Sequence, residues 1–174
     1  MPGPADDPHR ITDTDALTAL YGSVSRRSRD KVSSCLLEQH QHFIAKAGFC
    51  VLASSGDHHL DCSPRGDAPG EAFAVLDNSR IAMPDRRGNN RLDTLRHVVE
   101  NPQVAAIFLA HGTEQALRVR GQAHITLAPE LLDHFELDSE RPRSVIVIHV
   151  SAVLLQNSRA IRRSQLWQAS DPLP

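Results

Sequence analysis

The sequence predicts a mainly β fold: a closed or nearly closed antiparallel β-barrel with helices at its rim. Three observations predict it. Short apolar runs follow one another closely from Phe49 onward, most of them joined by turn-rich segments. Residues 115–127 alternate strictly, with Leu117, Val119, Ala123, Ile125 and Leu127 facing one way and Arg118, Arg120, Gln122, His124 and Thr126 the other. Few helical segments interrupt this pattern, and closing the sheet removes the exposed edges that so many strands would otherwise leave.

Met1–Arg10 holds three prolines, a glycine and two aspartates, so residues 1–12 are expected to form a loose tail ahead of a single domain spanning 13–174. Asp13 or Thr14 caps a short helix over Ala16, Leu17 and Leu20 that stops at Gly22. A longer helix is expected from Asp30 to Ala47, because Val32, Cys35, Leu36, Phe43 and Ile44 share a stripe and Gly48 stands where a helix ends. The period then becomes strand-like over 49–53 and 58–63, around a turn at Ser55-Gly56-Asp57. Pro64–Gly70 is dense turn chemistry, followed by strands over 72–76 and 80–83 about the turn Asp77-Asn78-Ser79. A helix opens near Arg91, with Leu92, Leu95, Val98 and Val99 on one face, Asn90 as its cap and Asp93 as capping-box partner; Pro102 closes it. Strands over 104–110, 115–127 and 144–150 complete the set, with Gly121 marking a bend or bulge. Short helices cover 129–136 and 157–167.

The bulk properties exclude several classes. The 174-residue chain carries a net charge of −2, and 4% of its residues are aromatic, which argues against a nucleic-acid partner. No apolar run approaches the roughly 20 residues of a membrane span, and no signal-peptide pattern opens the chain. Three cysteines without C-x-x-C spacing read as reduced thiols, so the expected location is cytoplasmic. His40 and His42 lie two apart on the expected helix and diverge. Residues 57–62 include the types for metal or haem ligation, but His58 and His59 fall on opposite faces of a strand, so the two are not expected to converge on one metal.

The chemistry concentrates at Met83-Pro84-Asp85-Arg86-Arg87-Gly88-Asn89-Asn90-Arg91-Leu92-Asp93. Three arginines and several backbone N–H groups gather there about a helix N-terminus, an arrangement that suits a phosphate or similar anion as well as a solvated polar loop. Together with Cys62-Ser63-Pro64-Arg65-Gly66-Asp67-Ala68-Pro69-Gly70, Glu100-Asn101-Pro102, Leu117-Arg118-Val119-Arg120-Gly121 and Arg163-Ser164-Gln165-Leu166-Trp167, this stretch resembles the pyridoxamine 5′-phosphate oxidase-related flavin-binding proteins, in a bacterial branch with the P-D-R-R-G-N-N-R-L-D element.

The resemblance spans about 48–167 and implies an FMN-binding split barrel, a homodimer with the flavin at the subunit interface, and FMN-dependent oxidoreductase activity on a small molecule. By the same resemblance, Arg86, Arg87, Asn89, Asn90 and Arg91 grip the ribityl phosphate, with Met83 beside them. Ser63, Pro64 and Arg65 run along the isoalloxazine edge, and Arg163, Ser164 and Trp167 come from the partner subunit. Asp85 and Asp93 are expected to orient arginines or cap the helix. No catalytic base emerges; His111 and His124 qualify only by residue type.

Departures from the family pattern at Glu71, Ala116 and Gln156-Asn157-Ser158-Arg159 fall on the substrate side of the pocket. The arginine-containing ending of true pyridoxamine phosphate oxidases is absent from Asp171-Pro172-Leu173-Pro174, so vitamin B6 oxidation is not the expected activity. The alternative function is a flavin- or haem-binding module without turnover.

Overall fold

A computed structural model describes residues 7–57, 59–88 and 90–168. The chain divides at Lys31/Val32 into two compact units. In the first, helix α1 (Thr14–Tyr21) opens on Asp13, whose carboxylate accepts from the Ala16 N–H at 2.7 Å. It closes on Gly22, whose φ of +75° is natural for glycine and lets its N–H reach the Thr18 carbonyl. One further helical turn, α2 (Arg26–Arg29), follows.

The second unit is one seven-stranded antiparallel sheet with short helices against it. Its strands are β1 (Phe49–Ser55), β2 (Leu60–Gly66), β3 (Ala74–Val75), β4 (Arg80–Asp85), β5 (Gln103–Leu109), β6 (Gln115–Thr126) and β7 (Ser144–Asn157), in the order β2-β1-β5-β6-β7-β4-β3. The helices are α3 (Glu38–Lys46), α4 (Asp93–Glu100), α5 (Pro129–His134) and α6 (Arg159–Arg163). Alternation sets the faces: Cys50 and Leu52 of β1, Val104, Ala106 and Phe108 of β5, and Leu117, Val119 and Ala123 of β6 all point into one core. Phe73 and Phe108 meet there edge to face, ring centroids 4.9 Å apart. β7 is buried on both faces over its first five residues. A second, smaller core of Ala82, Phe135, Val145 and Val147, with Leu131 and Leu132 of α5 against it, covers the side turned away from the main one.

The predicted irregularity at Gly121 is a bulge. Arg120 pairs with Ala152 and Gly121 with Val150, leaving Ser151 as the extra residue on β7. The turn at Asp77 also forms as its residues dictate. One carboxylate oxygen accepts from the Ser79 N–H and hydroxyl at 2.7 and 2.8 Å, the other from Arg80 Nε. The Ser79 backbone bond first, then the Ser79 hydroxyl and Arg80, hold this carboxyl down to about 2.

Several elements differ from the sequence expectation. The helix expected over 30–47 is only α3, because Ser33 exchanges two backbone hydrogen bonds with Val153 and the Leu36 N–H donates to Asn78. Sheet pairing wins that segment over its helical periodicity. α3 instead starts after Leu37, whose N–H donates to His40 Nδ1 at 3.1 Å, a capping role filled by a histidine. Burial keeps that imidazole below its ordinary range, with a Cys35 backbone bond opposing.

β2 runs on past Ser63 through Pro64 and Arg65 to Gly66, so Pro64 and Arg65 are strand residues paired with Val51 and Cys50 rather than the start of a turn. An edge strand accommodates Pro64, since its missing N–H would face no neighbour. Asn90 has φ +57°, not the extended backbone of a cap; α4 starts at Asp93 after Leu92, without a side-chain cap. The buried face of α4 is Thr94, His97 and Val98, whereas Val99 is 77% exposed. Leu127 lies beyond the end of β6 and is exposed. β7 extends to Asn157, which shortens the last helix to α6.

The three thiols are free and differ in environment: Cys50 is buried, Cys35 half-buried and Cys62 exposed. Burial pushes the Cys50 thiol up to about 12, with the Arg65 charge opposing. The folded thiol keeps its proton up to there while an unfolded one loses it near 9.0, so this stabilisation is complete below pH 9 and drains away as pH rises toward 12. A disulfide reagent near neutral pH is therefore expected to spare Cys50 until the chain is unfolded. Rapid native labelling of Cys50, read by peptide mass, would contradict its burial.

Candidate functional site

The sheet does not close through its backbone. β2 and β3 are its edges, and β2 instead faces β4 across a seam bridged by side chains. Arg65 Nη1 donates to Asp85 Oδ1 at 2.6 Å, with both side chains largely buried. Arg86 Nε donates to Asp67, and Arg86 Nη1 donates to the Phe135 carbonyl at 3.0 Å. Between the two pairs lies a cavity of about 170 Å³ walled by Pro64, Arg65, Ala72, Phe73, Met83 and Arg86. Arg65 Nε is buried in this wall and has no hydrogen-bond partner among the described residues. A guanidinium donor without a partner at such a depth is costly, and an anion's oxygen would satisfy it.

The seam thus gathers Pro64, Arg65, Met83 and Arg86 from the residues singled out in the sequence. Ser63 is half-buried, two residues before Arg65 on the same face of β2. Arg87 is exposed at the end of β4 and has no hydrogen bond or ion pair among the described residues. Asn90 accepts from Arg143 Nη1 at 2.7 Å through its side-chain oxygen, and Asn89 lies outside the described residues. Arg91 donates to Asp93 at 2.5 Å at the start of α4, and that bond holds the Asp93 carboxyl below its usual range.

Asp85 and Asp93 therefore orient arginines, as expected, and Asp67 does the same for Arg86, a role no local pattern signals across 19 residues. No hydrogen bond or ion pair links residues 163–167 to the seam of the same chain among the described residues. Arg163 and Ser164 are exposed, and the Trp167 indole donates to the Thr113 carbonyl at 2.7 Å. His111 packs against Trp167, whereas His124 sits on the outer face of β6 beside His149. Desolvation, then His149 and Arg80, lower the His124 pKa.

The outer face of the sheet carries a second hollow, of about 530 Å³. Its walls include Val51, Ala53, Ala105, Ile107, Ala152 and Leu154, with Arg118 and Arg120. Cross-strand pairing makes this face continuous with the seam: Val51 opposes both Ile107 and Pro64, and Pro64 is itself part of the seam wall. Substituting Ile107→Glu would place a carboxylate in the middle of this apolar surface.

A polar cluster that sequence reasoning missed joins β1, α4 and the turn before β2. His97, 2% exposed, has Nδ1 3.1 Å from Ser54 Oγ and Nε2 2.9 Å from His59 Nε2. The signal available was a polar residue at a core spacing, 94-97-98, masked by the more apolar stripe through Leu92 and Val99. No group of three or more His, Cys, Asp or Glu among the described residues is placed to hold a metal ion. None of their helices is long and apolar enough to cross a membrane.

Residues 36–157 match the family model for pyridoxamine 5′-phosphate oxidase. None of the curated proteins compared with the sequence matches it. Among solved structures, HupZ of Group A Streptococcus superposes with a TM-score of 0.56 at 13% identity, over 71% of this chain and 95% of that one. A candidate pyridoxamine 5′-phosphate oxidase from Lactobacillus delbrueckii gives 0.53 at 15% identity, over 70% and 95%. General Stress Protein 26 from Bacillus anthracis str. Sterne gives 0.52 at 16%, over 68% and 91%. At such identities the likeness is one of fold, and that fold is the split barrel.

Proposed function

The chain belongs to the pyridoxamine 5′-phosphate oxidase family, and from that premise we propose that it is an FMN-binding flavoprotein. It acts as an FMN-dependent oxidoreductase on a small molecule, as a homodimer with the flavin at the subunit interface. The observation that carries this reading is the partnerless, buried Arg65 Nε in the seam wall beside Arg86. Arg65, expected along the isoalloxazine edge, is reassigned here to the ribityl phosphate together with Arg86, because its partnerless Nε belongs to the same small cavity. Arg87, exposed and unpaired among the described residues, adds the charge that balances a dianion. Asp85 and Asp67 keep the two seam guanidiniums in place, and their charges leave the seam nearly neutral until the phosphate recruits Arg87.

The seam cavity, at about 170 Å³, suits a phosphate but lies below the usual range of ligand pockets, roughly 300–1,000 Å³. The ring system therefore lies outside it, along the β2 edge at Ser63 and toward the apolar outer face, which Pro64 joins. A second copy packed on that face encloses the ring and brings Arg163, Ser164 and Trp167 to it, while Asn90 and Arg91, tied to Arg143 and Asp93, reach the phosphate only by leaving those partners. Bound flavin supplies the redox chemistry; the protein's part is to hold it, exclude water and place cationic charge near it.

Mass identification of the ligand released from native protein tests the reading directly, and saturating FMN that fails to bind the folded chain would overturn it. Arg86→Ala and Arg87→Ala are each expected to weaken flavin retention by more than about tenfold, the loss of one charge-assisted bond. Arg87 is the cleaner probe because it makes no ion pair within the described residues. Ile107→Glu is expected to sediment as a monomer and to lose flavin; a flavin-loaded dimer would move the interface elsewhere. Reduction by a nicotinamide cofactor, then reoxidation by a panel of acceptors, separates an enzyme from a passive carrier.

A further inference from the structure

A cavity of about 520 Å³ opens between α3 and the β5–β6 connection, within the range of small-molecule sites. Its polar wall comes from one stripe of α3: Gln39, His42 and Lys46 lie at i, i+3 and i+7, so they share a face while Phe43 and Ile44 turn to the core. His111 and Gln115 face them from the strand ends, and Phe43, Ala110 and Leu155 add apolar surface. The chemistry of this lining is one-sided. It contains a lysine, two imidazoles and two amides, all able to donate, and no carboxylate. Glu38 lines an adjoining cavity that shares His42 with this one, and Glu114 lies between Thr113 and Gln115 without entering the wall. Among the described residues, the side chains of His42, Lys46 and His111 make no ion pair or hydrogen bond, so their donors are unspent; the one ring contact is that of His111 with Trp167.

We propose that this cavity binds a small organic anion with a flat apolar body, of the aromatic carboxylate class, independently of what the β2–β4 seam holds. Lys46 pairs with the carboxylate, His42, His111 and Gln115 complete its hydrogen bonds while Gln39 Nε2 stays 3.4 Å from His40 Nε2, and the ring rests on Phe43 and Leu155. A cationic head above an apolar floor favours such an anion over a neutral hydrocarbon or an amine of the same shape.

Trp167 makes the site observable. It is the only tryptophan in the chain, its indole is tied to Thr113 at 2.7 Å, and its ring stands 5.2 Å from that of His111, both of which line the cavity. Benzoate added to the protein as purified is expected to give saturable heat in calorimetry with one site per chain, and a matching change in Trp167 emission in samples that carry no flavin. Benzylamine and benzyl alcohol should give neither signal. Lys46→Met, which keeps the stem of an exposed side chain and so leaves the fold intact, should weaken benzoate binding by about tenfold, as for one lost charge-assisted bond. Absence of saturable benzoate heat in folded protein, equal binding by Lys46→Met, or equal binding of benzylamine would each overturn the proposal. Flavin retention measured on the same samples separates the two ideas. Benzoate binding by protein that cannot take FMN defeats only the flavin reading, and flavin-loaded protein that ignores benzoate defeats only this one.

Discussion

Replacing Gly121 by alanine is expected to cost about 3 kcal/mol of folding stability, although it adds a single methyl group. In an ordinary strand the same change would be neutral or slightly stabilising, because alanine has less backbone freedom to lose. Here an added Cβ would stand 2.1 Å from the His149 carbonyl oxygen, 2.9 Å from the carbonyl carbon and 3.1 Å from Ile148 Cγ2. The first two are backbone atoms, so no side chain can rotate out of the way. The bulge is also held from both sides: the Val150 N–H donates to the Ser79 carbonyl at 2.7 Å, and the Ser151 hydroxyl donates to the Arg120 carbonyl at 3.1 Å. Relief would require separating β6 from β7, the longest pairing in the sheet. The urea midpoint of Gly121→Ala should fall with little change in the slope of the transition. A loss smaller than about 1 kcal/mol would mean that the bulge relaxes freely and that glycine is not required there.

Replacing His97 by leucine is expected to cost about 1–3 kcal/mol, and the origin of that loss is separable. Leucine fills much of the imidazole's volume, so the main penalty is the Ser54 hydroxyl, 3% exposed, left without its His97 partner. Removing both partners is different, because no buried polar group is then stranded. His97→Leu combined with Ser54→Ala should therefore be more stable than His97→Leu alone. A double-mutant cycle in urea reads the coupling directly. If Ser54→Ala gives no recovery in the His97→Leu background, the hydroxyl does not depend on the imidazole and the stabilising role assigned to their bond fails. His59, exposed at the other ring nitrogen, should matter far less, because water replaces it when it is removed.

The two predictions concern residues of opposite legibility. Gly121 interrupts a strict apolar–polar alternation, and a glycine inside a strand pattern already points to a bulge or a close approach. His97 gave no comparable sign, since its partners Ser54 and His59 lie 43 and 38 residues away. The candidate site shows the same contrast. Its arginines stand out in the sequence, and the family resemblance assigns Arg86, Arg87 and Arg91 to a phosphate and Arg65 to the isoalloxazine edge. Which of them meet is another matter: Arg65 with Asp85, Arg86 with Asp67 and with the Phe135 carbonyl 49 residues on, and Arg91 with its own neighbour Asp93. A run that reads as one cationic cluster is divided by the structure between a barrel seam and a helix start.

What the sequence determined by itself was a set of features that depend only on neighbours along the chain. The alternation of β6, the Asp13 cap, the turn at Asp77 and the glycine at the bulge are such local features, and so is the β-rich class they add up to. Only the tertiary structure decided that Val32–Leu36 joins the sheet through Ser33 and Val153 instead of continuing a helix, and that β2 and β4 close the barrel through side chains rather than backbone. The physical reason is that periodicity specifies which face of an element is buried, but carries no term for which distant element will cover it. That choice belongs to the packing of the whole chain.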